Sequence, residues 1–455
     1  MEVKGKHIVV VGLARSGLAV ARFLKARQAR VTITDQAVEA GLGTFVEQAR
    51  QLGANLELGG HRAATLLSAD LIVVSPGVPH TLSHFDRARE IGIPVIGEIE
   101  LAFRFIRTPI TAVTGTNGKT TTTELLGRML ASSGLRVFVG GNIGNPLIEI
   151  AGRDDELDVI VAEVSSFQLD TIDIFRPHVA ALLNITSDHL DRYPDLAAYA
   201  RSKGRVFANQ TGEDVAICNA ADLLVLEQCR TIRSRKLFFH AEPAGNGQGL
   251  PNALITPQGI DLHLPGLGDG AVSLDRTTLT GPHNRENIAA AALAALAAGG
   301  TLEGVQNALD EFPVLSHRLE SVGTVKGVHF VNDSKATNVD AVIRALECFE
   351  QPVVLIMGGR NKGYDFAPLE AAVRRRVKKL IVIGEAGQEI LAALGNVPVQ
   401  GSQVALSMEE AVRQAFAAAT PGETVLLSPA CASFDMFGSY AERGDTFRRL
   451  VGELQ

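Results

Sequence analysis

An α/β fold of three domains is predicted for this chain, with an N-terminal Rossmann-like domain, a central P-loop ATP-binding domain with a mostly parallel sheet, and a C-terminal Rossmann-like domain. Three observations predict it. Apolar strand-like runs alternate with helical stretches from end to end, which is the pattern of α/β layers. The same device opens three regions, a Val/Ile/Leu strand running into a glycine loop: His7–Val11 into Gly12, Ile110–Val113 into Gly115, and Val353–Met357 into Gly358-Gly359. The length of 455 residues suits about three domains of ordinary size. Prolines mark the joints, at Arg107-Thr108-Pro109 and at Glu311-Phe312-Pro313, giving domains 1–108, 109–312 and 313–455. A Gly-, Pro- and Asn-rich stretch, Ala241–Gly270, reads as hairpins and turns within the second domain.

Composition narrows the classes. Apolar residues make up 46% and charged residues 20% of the chain, enough for large buried cores. The net charge of −7, with Lys and Arg scattered, argues against a nucleic-acid groove. Four cysteines (Cys218, Cys229, Cys348, Cys431) have neither zinc spacing nor the density of a disulfide framework, so reduced thiols in a cytoplasmic protein are expected. Met1–Lys4 lead straight into a strand, so no leader is expected. The longest apolar stretch, Ile288–Ala298, is an alanine-rich helix too short to span a membrane.

In the first domain, His7–Gly12-Leu-Ala-Arg-Ser-Gly17 followed by Val31–Asp35 has the outline of a dinucleotide fingerprint. Ala14 replaces the glycine that lets backbone approach a pyrophosphate, which weakens an NAD reading. A looser reading stands, in which the Gly12–Gly17 turn, Asp35 and the Ser75-Pro76-Gly77 turn hold another nucleotide-bearing ligand. For Ser16 alone, a helix N-terminus satisfied by water explains the residue equally well.

The strongest motif is Gly115-Thr116-Asn117-Gly118-Lys119-Thr120, between a predicted strand at Pro109–Val113 and a predicted helix at Thr121–Ser132. Such a loop turns its N–H groups and a helix N-terminus on phosphate, while the lysine adds charge and the Thr120 hydroxyl can reach Mg²⁺. Val113 stands where the general P-loop has its first glycine, so the match is to a narrower GTNGKT form. Glu163 closes the strand predicted at Leu157–Ala162, where a metal-binding carboxylate beside a P-loop belongs. Asp188, His189 and Asp191 follow the strand Val179–Leu183. His189 alone reads as an ordinary loop histidine, but together with Glu163 and Thr120 it reads as part of a phosphate–metal edge. Lys203 reads from its helix as a solvated lysine.

Taken in order, GTNGKT, Glu163-Val-Ser-Ser-Phe-Gln168, Asn184-Ile-Thr-Ser-Asp-His189, Gly281-Pro-His-Asn284, His317-Arg318, Asn332-Asp-Ser-Lys-Ala-Thr-Asn338 and Ser428-Pro-Ala-Cys-Ala-Ser433 resemble the Mur ligases over the whole chain. The last two blocks resemble most the members that add D-glutamate to UDP-N-acetylmuramoyl-L-alanine. The signature of the members that add a diamino acid is absent from the third domain. The resemblance implies a cytoplasmic, monomeric, ADP-forming ligase using ATP and two Mg²⁺, with no nucleic-acid partner and no membrane insertion. A folylpolyglutamate-type ligase or another Mur ligase is the alternative enzyme, and a nucleotide switch the alternative from another class. The Rossmann-like opening argues against the folate enzyme, which would begin with its ATP domain.

By the same resemblance, Gly115, Thr116, Asn117, Gly118, Lys119, Thr120 and Thr121 hold the ATP phosphates, and Asn284, Arg318 and Asp333 contact the nucleotide. Lys119, Glu163, His189 and Lys203 are the catalytic set; Thr120, Glu163, His189 and Lys203 (as a carbamate) are the metal ligands. The UDP-substrate falls to Arg15, Ser16, Asp35, Gln36, Gly77 and Asn142, with Arg-Ser standing where the family has Leu-Thr. The incoming glutamate falls to Lys335, Thr337, Lys362, Ser433, Phe434 and Tyr440, with Tyr440 standing where phenylalanine is expected.

Overall fold

Each of the three glycine-turn strands lies between two parallel neighbours. The computed structural model describes residues 1–240, 251–264, 268–394 and 402–454. The chain parts into two compact units: residues 1–185, 200–275 and 287–309 form the first, and residues 186–199, 276–286 and 310–455 the second.

In the first unit, β1 (His7–Val11), β2 (Arg30–Asp35), β3 (Asn55–Leu58), β4 (Leu71–Val74) and β5 (Val95–Gly97) form an all-parallel sheet in the order β3-β2-β1-β4-β5. Strands β1 and β4 are buried on both faces, so their runs are continuously apolar instead of alternating. The order reverses between β1 and β4, which opens a crevice beyond their carboxyl ends.

The same unit carries β6 (Ile110–Thr114), β7 (Val137–Gly141), β8 (Val159–Glu163), β9 (Val179–Leu182), β10 (Val215–Asn219), β11 (Arg235–His240), β12 (Ala253–Ile255), β13 (Gly259–Leu264) and β14 (Gly268–Ser273). They form one sheet, β14-β13-β12-β11-β10-β9-β6-β8-β7, parallel from β7 to β12 and ending in an antiparallel meander. The hairpins expected in 241–270 are that meander where the residues are described; 241–250 and 265–267 lie outside the described residues. Cys218, on β10, and Cys229, at the end of the helix Leu223–Cys229, form a disulfide. The expectation of four reduced thiols therefore holds only for Cys348 and Cys431.

Two buried carboxyls tie the first sheet to the second. Glu100 accepts backbone N–H bonds from Asp173, Ile174 and Phe175 at 2.8, 3.1 and 2.9 Å, and pairs with Arg104 at 2.8 Å. Glu98 accepts from the Ile148 N–H at 2.8 Å, and burial pushes its carboxyl up to about 7. Its folded-state pKa therefore lies above the unfolded value. The stability it contributes is fully present below about pH 4.5 and is lost as pH rises toward 7. Glu98→Gln keeps the acceptor and removes the charge. The variant is expected to lose less stability than wild type between pH 5 and 8, a difference on the order of 3 kcal/mol at most. Urea melts at the two pH values read it, and parallel slopes would refute the assignment.

In the second unit, β15 (Glu320–Val325), β16 (Val328–Asn332), β17 (Val353–Gly358), β18 (Val377–Ile383), β19 (Gln403–Val404) and β20 (Thr424–Leu427) take the order β15-β16-β20-β17-β18-β19. Among the described residues, only the β15–β16 pair of this sheet is antiparallel. Along β17, Val353, Leu355 and Met357 enter one core and Val354 and Ile356 the other. The period of two thus feeds an apolar layer on each face, the doubly wound arrangement.

Candidate active site

The P-loop leaves β6 at Thr114 and enters the helix Lys119–Ser132, which starts two residues earlier than the sequence predicts. Asn184, at the end of the neighbouring β9, holds the loop. Its side chain accepts from the Asn117 N–H at 2.8 Å and donates to the Asn117 carbonyl at 3.1 Å, while its own carbonyl accepts from Thr116 N–H at 2.9 Å. Gly118 sits at φ +84°, and a Cβ there would lie 2.1 Å from Asn287 Oδ1. Gly118→Ala therefore strains the backbone and displaces the loop. It is expected to cut ATP affinity and turnover, by roughly a hundredfold, a loss read by nucleotide titration and ADP release.

Two amines converge on this loop. Lys119 Nζ donates to the carbonyls of Gly115 and Thr116 at 2.9 and 2.8 Å, and Lys203 Nζ donates to the same Gly115 carbonyl at 2.7 Å. Lys203 is only 1% exposed, which corrects the reading of a solvated helix lysine. The side of the helix Leu196–Gly204 that carries it faces the β6 loop.

Glu163 ends β8, register-paired with Val113 of β6, and is buried. Its Oε1 accepts from Asn142 Nδ2 at 2.7 Å, while Oε2 is buried with no hydrogen-bond partner. A buried polar atom without a partner is costly, and a cation would satisfy it. Among the described residues no three His, Cys, Asp or Glu side chains form a ready-made metal cluster.

Asn142 also lines a cavity of about 450 Å³ at the β1/β4 switch point. The Gly12–Ser16 turn, Asp35, Gln36, His61, Gly77 and Asn142 are among its walls, so all six expected UDP-substrate residues meet there. Gly17 fits because a Cβ would lie 1.9 Å from the Gly12 carbonyl oxygen. The Asp35 carboxyl is committed to backbone, accepting from Leu13 N–H at 2.6 Å and Ala37 N–H at 2.8 Å, so it shapes both loops. Arg15 donates to Asn145 Oδ1 at 2.5 Å.

In the second unit, His189 has φ +56° and its Nε2 lies 3.6 Å from Asp188 Oδ2. The Tyr364 hydroxyl donates to Asp188 Oδ1, and burial pushes that phenol up. Asp333 follows β16; it accepts from Ser428 Oγ at 2.9 Å, and burial pushes its carboxyl up to about 7 against the pull of Ser428 and Arg318. Asn284 Nδ2 donates to the Thr280 carbonyl at 2.8 Å.

The expected glutamate residues gather at the carboxyl edge of adjacent strands. Lys335 and Thr337 follow β16, Ser433 and Phe434 follow β20, and Lys362 follows β17. Tyr440 opens the helix Tyr440–Gly452, and Lys335 Nζ lies 5.1 Å from its ring centroid. The ring thus holds an ammonium, a task a phenylalanine would share. Ser433 is buried, whereas Phe434 is 64% exposed.

Three positioning residues escaped the sequence reading. Asn184 and Asn287 brace the P-loop, and Arg443, fully buried, clamps the β16 and β20 loops. Its guanidinium donates to Ser334 Oγ, the Ser334 carbonyl and the Cys431 carbonyl at 3.0, 2.8 and 3.1 Å. Only the position of Asn184 at a strand end beside the loop was a usable signal.

Family models match along the chain: "Mur ligase MurD-like, N-terminal domain" over residues 6–97, "Mur ligase middle domain" over 113–295 and "Mur ligase, glutamate ligase domain" over 317–431. A protein of Desulfosudis oleivorans named UDP-N-acetylmuramoylalanine–D-glutamate ligase is 54% identical over 456 residues, covering 100% of this chain and 98% of the relative. One of the same name from Desulfatibacillum aliphaticivorans is 51% identical over 455 residues, covering 100% of both. Solved structures share the fold at low identity. MurF of Acinetobacter baumannii has a TM-score of 0.60 at 18% identity, covering 100% of this chain and 91% of its own. The UDP-N-acetylmuramate-alanine ligase MurC of Thermotoga maritima has 0.59 at 19%, covering 99% and 100%. Three domain matches and full-length relatives at this identity agree with the glycine loop, the buried lysine and the sheet-edge residues: the chain belongs to the Mur ligase family.

Proposed function

We propose that this chain is an ATP-dependent ligase that joins D-glutamate to UDP-N-acetylmuramoyl-L-alanine, forming ADP and phosphate during peptidoglycan precursor synthesis. The observation that carries the reading is the full-length identity of 54% to a relative of that name. The site chemistry supports it. Residues 1–108 are assigned to the nucleotide-sugar, 109–312 to ATP and 313–455 to the amino acid.

In this reading the substrate carboxylate attacks the γ-phosphorus of ATP, ADP leaves, and the resulting acyl phosphate is attacked by the glutamate amine. The amine loses a proton, phosphate departs and the amide remains. Each early partner is an anion, so positive charge at the loop is the first requirement. Lys119 supplies it when its ammonium leaves the Gly115 and Thr116 carbonyls for phosphate. The backbone N–H groups of the Gly115–Thr121 turn and helix start cradle the phosphates. Asn142, bonded to Glu163, places the carboxylate end of the cavity's occupant beside the loop. Mg²⁺ would be held by Thr120, Glu163, His189 and Lys203 as a carbamate, two ions in all, and supplies further neutralisation of phosphate charge. The orphaned Glu163 Oε2 fits that role. Asn284, Arg318 and Asp333 are assigned to the nucleotide, and Lys335, Thr337, Lys362, Ser433, Phe434 and Tyr440 to the two carboxylates of glutamate. Among the described residues no helix is long and apolar enough to cross a membrane; a cytoplasmic monomer is the proposed state.

The test is phosphate release with ATP, UDP-N-acetylmuramoyl-L-alanine and an amino-acid panel. Release is expected only with the nucleotide acceptor and D-glutamate together. Equal release without any amino acid, or preference for a folate acceptor, would sink the reading.

A further inference from the structure

One buried hydroxyl beside the His189 turn has no part in the roles assigned above. Tyr364 is 7% exposed, its ring in the apolar layer with Leu355 and Met357 of β17 and with Leu369. Its hydroxyl donates to Oδ1 of Asp188, a carboxyl that is also 7% exposed and stands 176 positions earlier in the chain. The same oxygen accepts the His189 N–H at 2.9 Å, and Oδ2 lies 3.6 Å from His189 Nε2. Asp188 thus holds the backbone of its neighbour and faces its ring. His189 needs such a hold, since its φ of +56° is one that a residue with a Cβ rarely adopts. The Arg192 and Tyr193 N–H groups close the turn on the His189 carbonyl at 2.9 and 3.1 Å.

We propose that Tyr364 is a positioning residue for the reaction: it anchors Asp188, and Asp188 in turn holds the His189 imidazole in the orientation a metal ligand needs. The inference rests on the metal role proposed for His189 and adds the residue that orients it. A hydroxyl-to-carboxylate bond is among the stronger hydrogen bonds, and burial of both groups limits competition from water. An imidazole ligand is oriented by the groups around it, and losing such a partner weakens metal binding about ten- to a hundredfold. The turn that presents Tyr364 is itself tied down. Asn361 Oδ1 accepts the Tyr364 N–H at 2.8 Å, and Asn361 Nδ2 donates to the Tyr364 carbonyl at 3.1 Å and to Glu389 Oε2 at 2.7 Å. Lys362, assigned to glutamate, lies on that turn with its Nζ 6.0 Å from the Tyr364 ring centroid. Removing the hydroxyl alone therefore leaves ring and turn in place and separates metal positioning from amino-acid binding.

Tyr364→Phe is that substitution. Mn²⁺ is titrated into the full chain with a non-hydrolysable ATP analogue, the free ion being read by electron paramagnetic resonance. The D-glutamate KM and the Mg²⁺ requirement are read from phosphate release. The variant is expected to bind Mn²⁺ about ten- to a hundredfold more weakly and to need correspondingly more Mg²⁺, with the D-glutamate KM within about twofold of wild type. On a His189→Ala background the same substitution is expected to change Mn²⁺ affinity by less than about twofold, because the residue it acts through is gone. Unchanged Mn²⁺ affinity in Tyr364→Phe overturns the proposal, even if the melting temperature falls, and leaves the ligase reading intact. A raised D-glutamate KM with metal binding unmoved overturns it too and assigns Tyr364 to the Lys362 turn alone. If wild type adds nothing to the Mn²⁺ binding of the analogue itself, the metal reading fails, and this inference with it.

Discussion

Lys203→Ala is expected to abolish ligation, lowering turnover about a thousandfold or more, with part of the activity restored by bicarbonate or short carboxylates. The reason lies in the pairing of two amines on one carbonyl. Lys119 and Lys203 both donate to Gly115 O, at 2.9 and 2.7 Å, and Lys203 is 1% exposed. Two ammonium ions in such proximity repel by a few kcal/mol at an effective dielectric of about 20. Under the proposed carbamate role, reaction of the free Lys203 amine with CO₂ would release a proton and leave an N-carboxylate. In the proposed role the repulsion would become an ion pair with Lys119, and an oxygen that could hold Mg²⁺ would stand where an amine could offer none. A simple structural lysine would behave differently, since its loss would lower stability and no anion would repair it. The checks are ADP release with and without added acetate, and mass spectrometry of the native protein for the carboxyl adduct. Full activity in Lys203→Ala rejects the role.

The same residue shows where sequence reading reaches its limit. The GTNGKT loop was legible because its chemistry is local: glycine conformations, a lysine and a helix N-terminus are all set by neighbours in the chain. Lys203 was not, because a helix pattern shows which residues share a face but not what that face meets. The buried carbonyl opposite Lys203 belongs to Gly115, 88 residues away. Asn184 and Asn287 were missed for a similar reason, as neutral amides carry no charge pattern to betray a bracing role. The sheets were legible where both faces are buried, as in β1, β4 and β17. The weak strand β3, Asn-Leu-Glu-Leu, and the antiparallel β15 lie at sheet edges, where half-polar runs do not distinguish strand from loop.

Glu163→Gln is expected to move activity and stability in opposite directions. The carboxyl is buried on β8; Asn142 occupies one oxygen and the other has no partner. Without ligands such an oxygen is a cost of about 1–3 kcal/mol, which a cation bound in the proposed role would offset. Glutamine keeps the acceptor toward Asn142 and replaces the second oxygen with a neutral amide, which is cheaper to bury. Turnover is therefore expected to fall by roughly a hundredfold or more, with a raised Mg²⁺ requirement, since a ligand has been lost. Thermal melting without ligands is expected to stay level or rise by a few degrees. A structural carboxyl would show the reverse, with both quantities falling together. The decisive measurement is thus the pair, ADP release against Mg²⁺ concentration and the ligand-free melting curve. Retained activity at low Mg²⁺, or a melting point that drops along with activity, would remove Glu163 from the metal site and leave its unpartnered oxygen unexplained.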